Sequence, residues 1–450
     1  MRDTLRVQLW PLPTLGVLLA VVAGVGLPRL DERIGRNMPS WLQDYLFGGS
    51  ADAARSVLTA IAGSLVTVTA LTFSLTVLTL QLASSQFSPR LLRTFTADRY
   101  VQTTLALFLT TFTYALTVLR TVRTDEDRQT EFVPHVSVTV AFVLTLASVL
   151  GLVLFLSHLA REIRIETMMN SVHSAADRTL HRILAEKQDR ADGDPAAGSP
   201  PAAPPEPPAN ALTLTVGSSG FLTFVDEEAL LKAAVEADAL VLIDRCPGSS
   251  LIAGTPMGAV WPRTGEPFSP GTPTRLAEGV RDAVRTGGER TDLQDIAFGL
   301  RQLTDIAAKA LSPGINDPTT AIHALSHSSA LLCELAHRDL GPRLLRDDHQ
   351  QVRVVLRRPD LQDLLDLAVE QPLRYGAAEP AVLTRITMLL RELAWSSTPD
   401  QHPPITAALT RLRSTIDAQD LHATEHFRLT KLTERVDEAL AGRWPHGRRH

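Results

Sequence analysis

The chain has 450 residues, a formal net charge of −5 and two cysteines. A slightly acidic chain without a basic stripe and interleaved aromatic residues is not typical of nucleic-acid-binding proteins, so we expect no nucleic-acid partner. The cysteines, Cys246 and Cys333, lie far apart in the second half of the chain. This favours free thiols in a reducing compartment over a disulfide framework.

Four long apolar segments in the first 160 residues predict a multi-pass membrane protein, because each can cross a hydrocarbon core of about 30 Å as a helix. These segments are residues 10–27, 57–82, 101–119 and 136–159. The first follows a short basic start, as a signal peptide would, but the sequence predicts that it is retained as a span. The lipid bilayer of the inner or plasma membrane is therefore the first expected partner.

The second segment lies in an uncharged stretch between Arg55 and Arg90 and has polar or small residues on two opposite faces. One face carries Ala60, Gly63, Thr67, Ala70, Ser74, Gln81 and Ser85, and the other carries Thr69, Thr72, Thr76 and Thr79. Two such faces predict protein neighbours or water on both sides, and hence a central position in the bundle. The threonine hydroxyls either bond back to carbonyls four residues earlier or line a polar pathway.

The loops between the segments give an orientation. Residues 90–99 are basic and residues 120–131 are net acidic, although the first loop also carries arginines. The positive-inside rule therefore favours, weakly, both termini and the second half of the chain in the cytoplasm.

Residues 161–190 continue the fourth span as a predicted helix with an apolar stripe. The stripe packs either on the same chain or on copies of it, so a homo-oligomer is one expectation. A Pro/Ala-rich linker follows at residues 191–210. Short apolar runs, among them residues 239–243, predict the strands of a small β-rich domain at 211–265. Amphipathic segments predict a mainly helical domain at 266–450, with one helix at residues 292–311 and a further strand at residues 351–356. The predicted fold is thus mainly α: a four-helix transmembrane module at 1–160 and a cytosolic α+β module.

Three stretches resemble a family of predicted bacterial membrane proteins that carry a domain of unknown function. They are FSPRLLR at 87–93, GFLTFVDEEALL at 220–231 and RTDLQDIAFGLRQLTDIAAKALSPGINDPTTAI at 290–322. The resemblance covers most of the chain. It implies an integral inner-membrane protein with this two-part layout, and it implies no reaction.

Charged and polar residues of the third stretch form the candidate site in the second half. They are Arg290, Asp292, Gln294, Asp295, Arg301, Asp305, Asn316 and Asp317. One interpretation is an internal polar network that fixes one helix against another. The other is a pocket for an anion or small ligand. Asp317 before Pro318 also has the pattern of a helix N-cap followed by proline at the first helical position.

Four further residues, His323, His327, Glu334 and His337, fall on one arc of a predicted helix. Histidines four residues apart can share a metal ion, but without a fixed third ligand we predict no metal site and no cofactor. The sequence contains no Walker A loop, GxSxG, HExxH or paired CxxC motif, which leaves no reason to predict catalytic residues.

The polar faces of the second span predict an oligomeric, channel-like or transport-related protein whose cytosolic part assembles or gates it. The alternative is a membrane-anchored sensor or scaffold whose cytosolic domain binds a ligand or partner. A third, weaker hypothesis is an enzyme that uses the polar residues at 290–317.

Overall fold

The computed structural model describes residues 10–34, 46–86, 99–123, 132–162, 165–184 and 205–444. The chain divides into two compact units, residues 1–167 (the membrane unit) and residues 168–450 (the C-terminal unit). The FSPRLLR stretch lies outside the described residues, and so do most of the linker at 191–210 and of the loops at 90–99 and 120–131.

Four helices form the described part of the membrane unit, and each is long and apolar enough to cross a bilayer. They are α1 (Pro11–Ile34), α2 (Ala51–Gln86), α3 (Arg99–Leu119) and α4 (His135–Glu162). The predicted helical spans are therefore confirmed. Helix α1 runs beyond the predicted end at residue 27. Buried Asp31 in this extension accepts hydrogen bonds from the backbone N–H and hydroxyl of Ser137, at 3.1 and 3.3 Å, in the first turn of α4.

The central helix of this unit is α3, and the prediction that α2 is central was wrong. About 56% of the apolar span of α3 is buried, against 28% for α2. Helix α3 packs against α1, α2 and α4 and buries Phe108 and Tyr114 completely. Helix α2 buries one face and leaves the face with Gly63, Thr67 and Ala70 exposed.

The C-terminal unit combines helices with two sheets, which confirms the α+β prediction. Its helices are α5 (Ile165–Ile183, almost all in this unit), α6 (Glu227–Glu236), α7 (Thr272–Ala283), α8 (Phe298–Ala310), α9 (Pro318–Ala336), α10 (Leu361–Tyr375), α11 (Pro380–Ser396), α12 (His402–Asp417) and α13 (Ala423–Leu440). Its strands are β1 (Leu212–Thr215), β2 (Gly220–Val225), β3 (Ala239–Ile243), β4 (Ser250–Leu251), β5 (Pro256–Pro262), β6 (Val284–Gly287), β7 (Arg343–Arg346) and β8 (Val352–Leu356).

The larger sheet has the strand order β1-β5-β3-β8-β7, and the smaller sheet has the order β4-β2-β6. Strands β3 and β8 are parallel, with Val241 opposite Val354 and Ile243 opposite Leu356. Helices α6 and α7 pack on each other beside the sheets, and α8 to α13 form a helical layer. Because β6, β7 and β8 come from residues after 265, the two sheets draw strands from both of the segments predicted as separate domains.

Helix α5 packs on the C-terminal unit through the apolar stripe seen in the sequence. Met169, Val172 and Ala176 are buried. A Cβ atom placed on Gly299, in the first turn of α8, would lie 2.3 Å from the Cβ of Ala176. The absence of a side chain at Gly299 thus allows the two helices to approach closely. Of the two partners left open for this stripe, the described residues of the same chain cover it.

Candidate functional site: an arginine-lined cavity

The parallel pairing of β3 and β8 brings the carboxyl ends of these strands to one edge of the sheet. The backbone N–H of Arg357 donates to the carbonyl of Ile243 at 3.0 Å, which fixes the segment after β8 beside the end of β3. Strand β7 is antiparallel to β8 and pairs Arg343 with Leu356. Carboxyl ends of parallel strands are a frequent ligand position in α/β folds. Here they carry Arg245, Arg357 and Arg358.

A cavity of about 400 Å³ opens at this edge. Its volume lies within the range of small-molecule sites. Its lining comes from α5, the end of β2, the start of α6, the edge of the larger sheet and the segment before α8. The lining residues are Arg182, Ile183, Phe224, Val225, Glu227, Ile243, Arg245, Pro247, Leu293, Gln294, Ile296, Arg343, Leu356, Arg357, Arg358 and Pro359.

The lining contains five arginines and one carboxylate, that of Glu227. Two guanidinium groups share this carboxylate, at 3.4 Å for Arg343 and 3.7 Å for Arg358. Asp244, next to the cavity, pairs with Arg357 at 3.1 Å, and this hydrogen bond raises the pKa of Arg357. Positive charge at the cavity therefore exceeds the negative charge that the protein supplies.

Two of the five arginines have no carboxylate within salt-bridge distance in the described part of the chain. Arg182 donates to the carbonyls of Asp292 and Leu293, both at 3.0 Å. Arg245 donates to the carbonyl of Pro256 at 3.5 Å. Carbonyl partners orient a guanidinium group without neutralising it, so both groups keep a full positive charge for a ligand.

The inner wall of the cavity is apolar. Val225, Ile243, Ile296 and Leu356 are buried side chains from two strands of the larger sheet, one strand of the smaller sheet and the segment before α8. Phe224 lies beside them, and the guanidinium carbon of Arg285 is 5.1 Å from its ring centroid. The cavity thus combines a charged rim with apolar walls, an arrangement typical of sites for small amphiphilic molecules.

The segment before α8 holds one wall in place through Gln294. The side-chain amide of Gln294 accepts from the N–H of Val225 at 2.7 Å and donates to its carbonyl at 3.0 Å. It thereby occupies the end of β2 as a neighbouring strand would. This pairing explains why the helix predicted from residue 292 begins only at Phe298.

Behind this wall Arg290 and Asp295 form a buried ion pair. Both donating nitrogens of Arg290 contact the same oxygen of Asp295, at 2.8 and 2.6 Å. Burial raises the pKa of Asp295, and the positive charge of Arg290 opposes this effect. Gly248, with a φ of +88°, passes so close that a Cβ atom there would lie 2.0 Å from the Asp295 carboxylate. The ion pair therefore supports the turn that carries Arg245 and Pro247.

Of the eight residues in the predicted polar group, Gln294 lines the cavity and the other seven do not. The side chain of Asp292 is exposed, and its carbonyl binds Thr179 and Arg182. Arg301 and Asp305 are half-buried on α8. Asn316 is exposed in the turn after α8 with a φ of +49°. Asp317 caps α9 by accepting from the N–H and the hydroxyl of Thr320 at 3.1 and 2.5 Å.

The threonine stripe of α2 lies mainly inside the membrane unit. Thr72, Thr76 and Thr79 are buried, and Thr69 is half-buried. The hydroxyls of Thr69, Thr76 and Thr79 donate to the carbonyls of Leu65, Thr72 and Leu75 at 2.6 to 2.8 Å. The Thr72 hydroxyl is buried without a hydrogen-bond partner among the described atoms. Three of the four hydroxyls thus bond to the carbonyl four residues earlier in their own helix.

The histidines of α9 make separate contacts. No group of three or more metal-ligating side chains suitable for a metal ion occurs among the described residues. The ring of His327 is 5.3 Å from that of His173 on α5. Glu334 pairs with Arg338, and the ring of His337 contacts the carbonyl of Cys333. Cys246 and Cys333 are free thiols.

Sequence reasoning missed the arginines of the cavity. Arg245 and the pair Arg357–Arg358 each follow an apolar run that was predicted as a strand. The available signal was therefore a basic residue within two positions of the end of a buried strand. Parallel pairing of the two runs, which makes this signal meaningful, is not visible in either run alone.

These features define a class: a multi-pass membrane protein with four spanning helices and a C-terminal α+β unit that carries a basic cavity. Residues 6–392 match the family described as "Predicted membrane protein (DUF2254)". The chain belongs to this family, which confirms the resemblance found in the sequence. No solved structure matches the chain.

Similar proteins occur in mycobacteria. The "Uncharacterized protein Rv1290c" of Mycobacterium tuberculosis (strain ATCC 25618 / H37Rv) is 38% identical over 396 residues, which cover 87% of this chain and 73% of that protein. The "Uncharacterized protein Mb1321c" of Mycobacterium bovis has the same identity and coverage.

Proposed function

We propose that this protein is a membrane-anchored sensor or scaffold whose C-terminal unit binds a small anionic ligand in the arginine-lined cavity. The observation that carries the proposal is the charge of the lining, five arginines against one carboxylate. Guanidinium groups bind carboxylates and phosphates through two parallel hydrogen bonds, and they keep their charge at any physiological pH.

The placement of the cavity also supports the proposal. Like charges gathered at one sheet edge repel each other and reduce the stability of the fold unless a counter-charge is present. A bound anion supplies that counter-charge, and it stabilises the folded state by binding to it alone. The four spanning helices then serve to hold the ligand-binding unit at the membrane.

The channel hypothesis remains the second candidate, and a specific feature of α2 favours it. The face with Gly63, Thr67, Ala70 and Ser74 is exposed in the single chain, and the space beside Gly63 is open. Small residues allow close helix contacts in membranes, so this face suits a second copy of the chain. Under this hypothesis a pathway would form between copies, with the exposed Thr67 and Ser74 of this face closest to it.

We also propose that the C-terminal unit faces the cytoplasm and that the protein resides in the inner or plasma membrane. Two free thiols, Cys246 and Cys333, support a reducing compartment. A fusion of alkaline phosphatase to the C-terminus tests this orientation, because that enzyme is active only outside the cytoplasm. An inactive fusion agrees with the proposal, and an active fusion contradicts it.

The ligand-binding proposal is tested by calorimetric titration of the full chain in detergent with inorganic pyrophosphate. We expect saturable binding that weakens with added salt. Arg245→Gln should weaken it by roughly tenfold or more, since a hydrogen bond to a charged group contributes about 1.5–3 kcal/mol. The matched control is Arg275→Gln, because Arg275 is an exposed arginine of α7 outside the cavity. Absence of binding, or equal effects of both variants, would contradict the proposal.

A further inference from the structure

We infer that the ligand of the cavity is a phosphorylated small molecule with an apolar portion, and that its phosphate is held by Arg182 of α5 together with Arg245 at the sheet edge. This inference rests on the proposed function, and it adds the chemical class of the ligand and a consequence for α5.

A phosphate group fits the charges better than a carboxylate does. Arg182 and Arg245 have carbonyl partners but no carboxylate, and both line the cavity. A single carboxylate would neutralise one of these groups. A phosphomonoester carries between one and two negative charges at neutral pH and offers three acceptor oxygens, so it can serve two guanidinium groups together.

The apolar walls of the cavity indicate that the ligand has an apolar portion. Val225, Ile243, Ile296 and Leu356 face a cavity of about 400 Å³ that inorganic phosphate would leave mostly filled with water. Burial of apolar ligand surface against such walls is favourable in proportion to the area removed from water. Phe224 adds an aromatic ring to the same lining.

Helix α5 contributes only its last turn to the cavity, through Arg182 and Ile183. The other lining residues belong to the sheets, to α6 and to the loops that follow them. A phosphate that binds Arg182 and Arg245 at once therefore joins the end of α5 to the sheet edge. Its binding energy adds to the packing of Ala176 on Gly299 and holds α5 more firmly on the unit.

This contact links the cavity to the membrane unit through the chain itself. Helix α4 ends at Glu162 and α5 begins at Ile165, so only two residues separate the fourth span from the helix that the ligand holds. The ligand thus sets how firmly the chain leaving the fourth span is anchored. A membrane-anchored sensor requires such an effect of ligand binding on the segment next to its membrane span.

The test uses the full chain in phosphatidylcholine nanodiscs, with phenyl phosphate as the probe and benzoate and inorganic phosphate as comparisons. We expect phenyl phosphate to bind roughly tenfold more tightly than either, because only it offers both a phosphate and an apolar group. Hydrogen exchange should show added protection of the last turn of α5 when phenyl phosphate is bound.

Two variants distinguish an arginine that holds the phosphate from an arginine outside the cavity. Arg182→Gln should weaken phenyl phosphate binding by roughly tenfold and abolish the added protection of α5, while saturating probe still binds the remaining arginines. Arg275→Gln should change neither quantity. Unchanged exchange in α11 of each variant shows that the fold is intact.

The outcomes distinguish the inference from the proposed function. If neither phosphate probe nor pyrophosphate binds, both fail. If pyrophosphate binds but benzoate equals phenyl phosphate, or α5 gains no protection, the inference is overturned and the anion site stands. Nanodiscs that also contain phosphatidic acid identify the source of the phosphate: competition with phenyl phosphate assigns a lipid headgroup, and its absence assigns a soluble ligand.

Discussion

The two units of this protein treat polar groups in opposite ways. In the membrane unit, Thr69, Thr76 and Thr79 of α2 bond to their own helix. Polar contacts between its helices pair groups within the unit, as for Thr111 with Ser148 at 3.1 Å and for Asp31 with Ser137 at 3.1 and 3.3 Å. In the C-terminal unit, charges concentrate at one sheet edge, and two arginines there lack a carboxylate partner among the described residues. Polar groups in hydrocarbon must find their hydrogen-bond partners within the protein. In the C-terminal unit, the excess of positive charge at the cavity supports the proposed anion site.

The largest expected effect concerns the ion pair behind the cavity. Asp295→Ala leaves the largely buried Arg290 without its counter-charge, and removal of one partner of a buried pair costs about 3–5 kcal/mol. We expect a large loss of thermal stability in detergent and faster hydrogen exchange in residues 245–249. Asp292→Ala is the matched control, because that side chain is exposed. Equal, small effects of both variants would show that Asp295 does not support the turn.

The next effect concerns the contact between α5 and α8. Gly299→Ala places a methyl group 2.3 Å from the Cβ of Ala176, and such overpacking typically costs about 1–3 kcal/mol. Hydrogen exchange of α5 should increase while that of α11 stays the same. Gly314→Ala, where the added Cβ meets open space, is the control. A stabilised α5 in the Gly299 variant would mean that the helices are not in close contact.

Smaller effects are expected in the membrane unit. Thr76→Val removes only the hydrogen bond to the carbonyl of Thr72 in the same helix. It should change the free energy of unfolding by less than about 0.5 kcal/mol. Thr111→Val removes a bond between helices, and such bonds in membranes are worth about 0.6 kcal/mol on average. Unfolding in mixed detergent micelles measures both. Ion or solute flux through reconstituted protein that is altered by Thr67→Val with Ser74→Ala would instead support the channel hypothesis, because these residues lie on the exposed face of α2.

The smallest effect is a dependence of stability on pH. Burial, and next the proximity of His173 and His323, lowers the pKa of His327 below its usual 6.5. The unfolded chain therefore binds a proton at His327 more readily than the folded chain does. The stability that comes from keeping this side chain neutral and buried is fully present above pH 6.5, and it is lost as the pH falls from 6.5 through the lowered pKa. Melting temperatures across this range should show the loss. His327→Gln should reduce it, whereas exposed His349→Gln should not.

The sequence predicted those parts of the fold that depend on local pattern. Uncharged apolar length identified four spans, and the cap residues Asp317 and Pro318 identified the start of α9. The position of α3 at the centre of its unit was not predicted, because it depends on which helices α3 contacts. The start of α8 was misplaced for a similar reason, since Gln294 pairs with Val225, 69 residues away.

The sequence predicted the kind of site but none of the arginines that line it. A pocket for an anion was considered at residues 290–317, and the structure places the basic cavity beside that segment, with Leu293, Gln294 and Ile296 in its wall. The five arginines themselves come from four separate parts of the chain. Only the parallel pairing of β3 with β8 and the return of β7 bring Arg245, Arg357 and Arg343 together, and no short sequence window contains that information.

The most direct test of the arginine-lined cavity is a diffraction experiment on crystals of the full chain soaked with tungstate, a heavy anion that resembles phosphate. We predict an anomalous peak inside the cavity within hydrogen-bond distance of Arg182 and Arg245, and no such peak in the Arg245→Gln variant. A cavity without a peak, while the anion occupies other sites on the protein, would contradict this prediction.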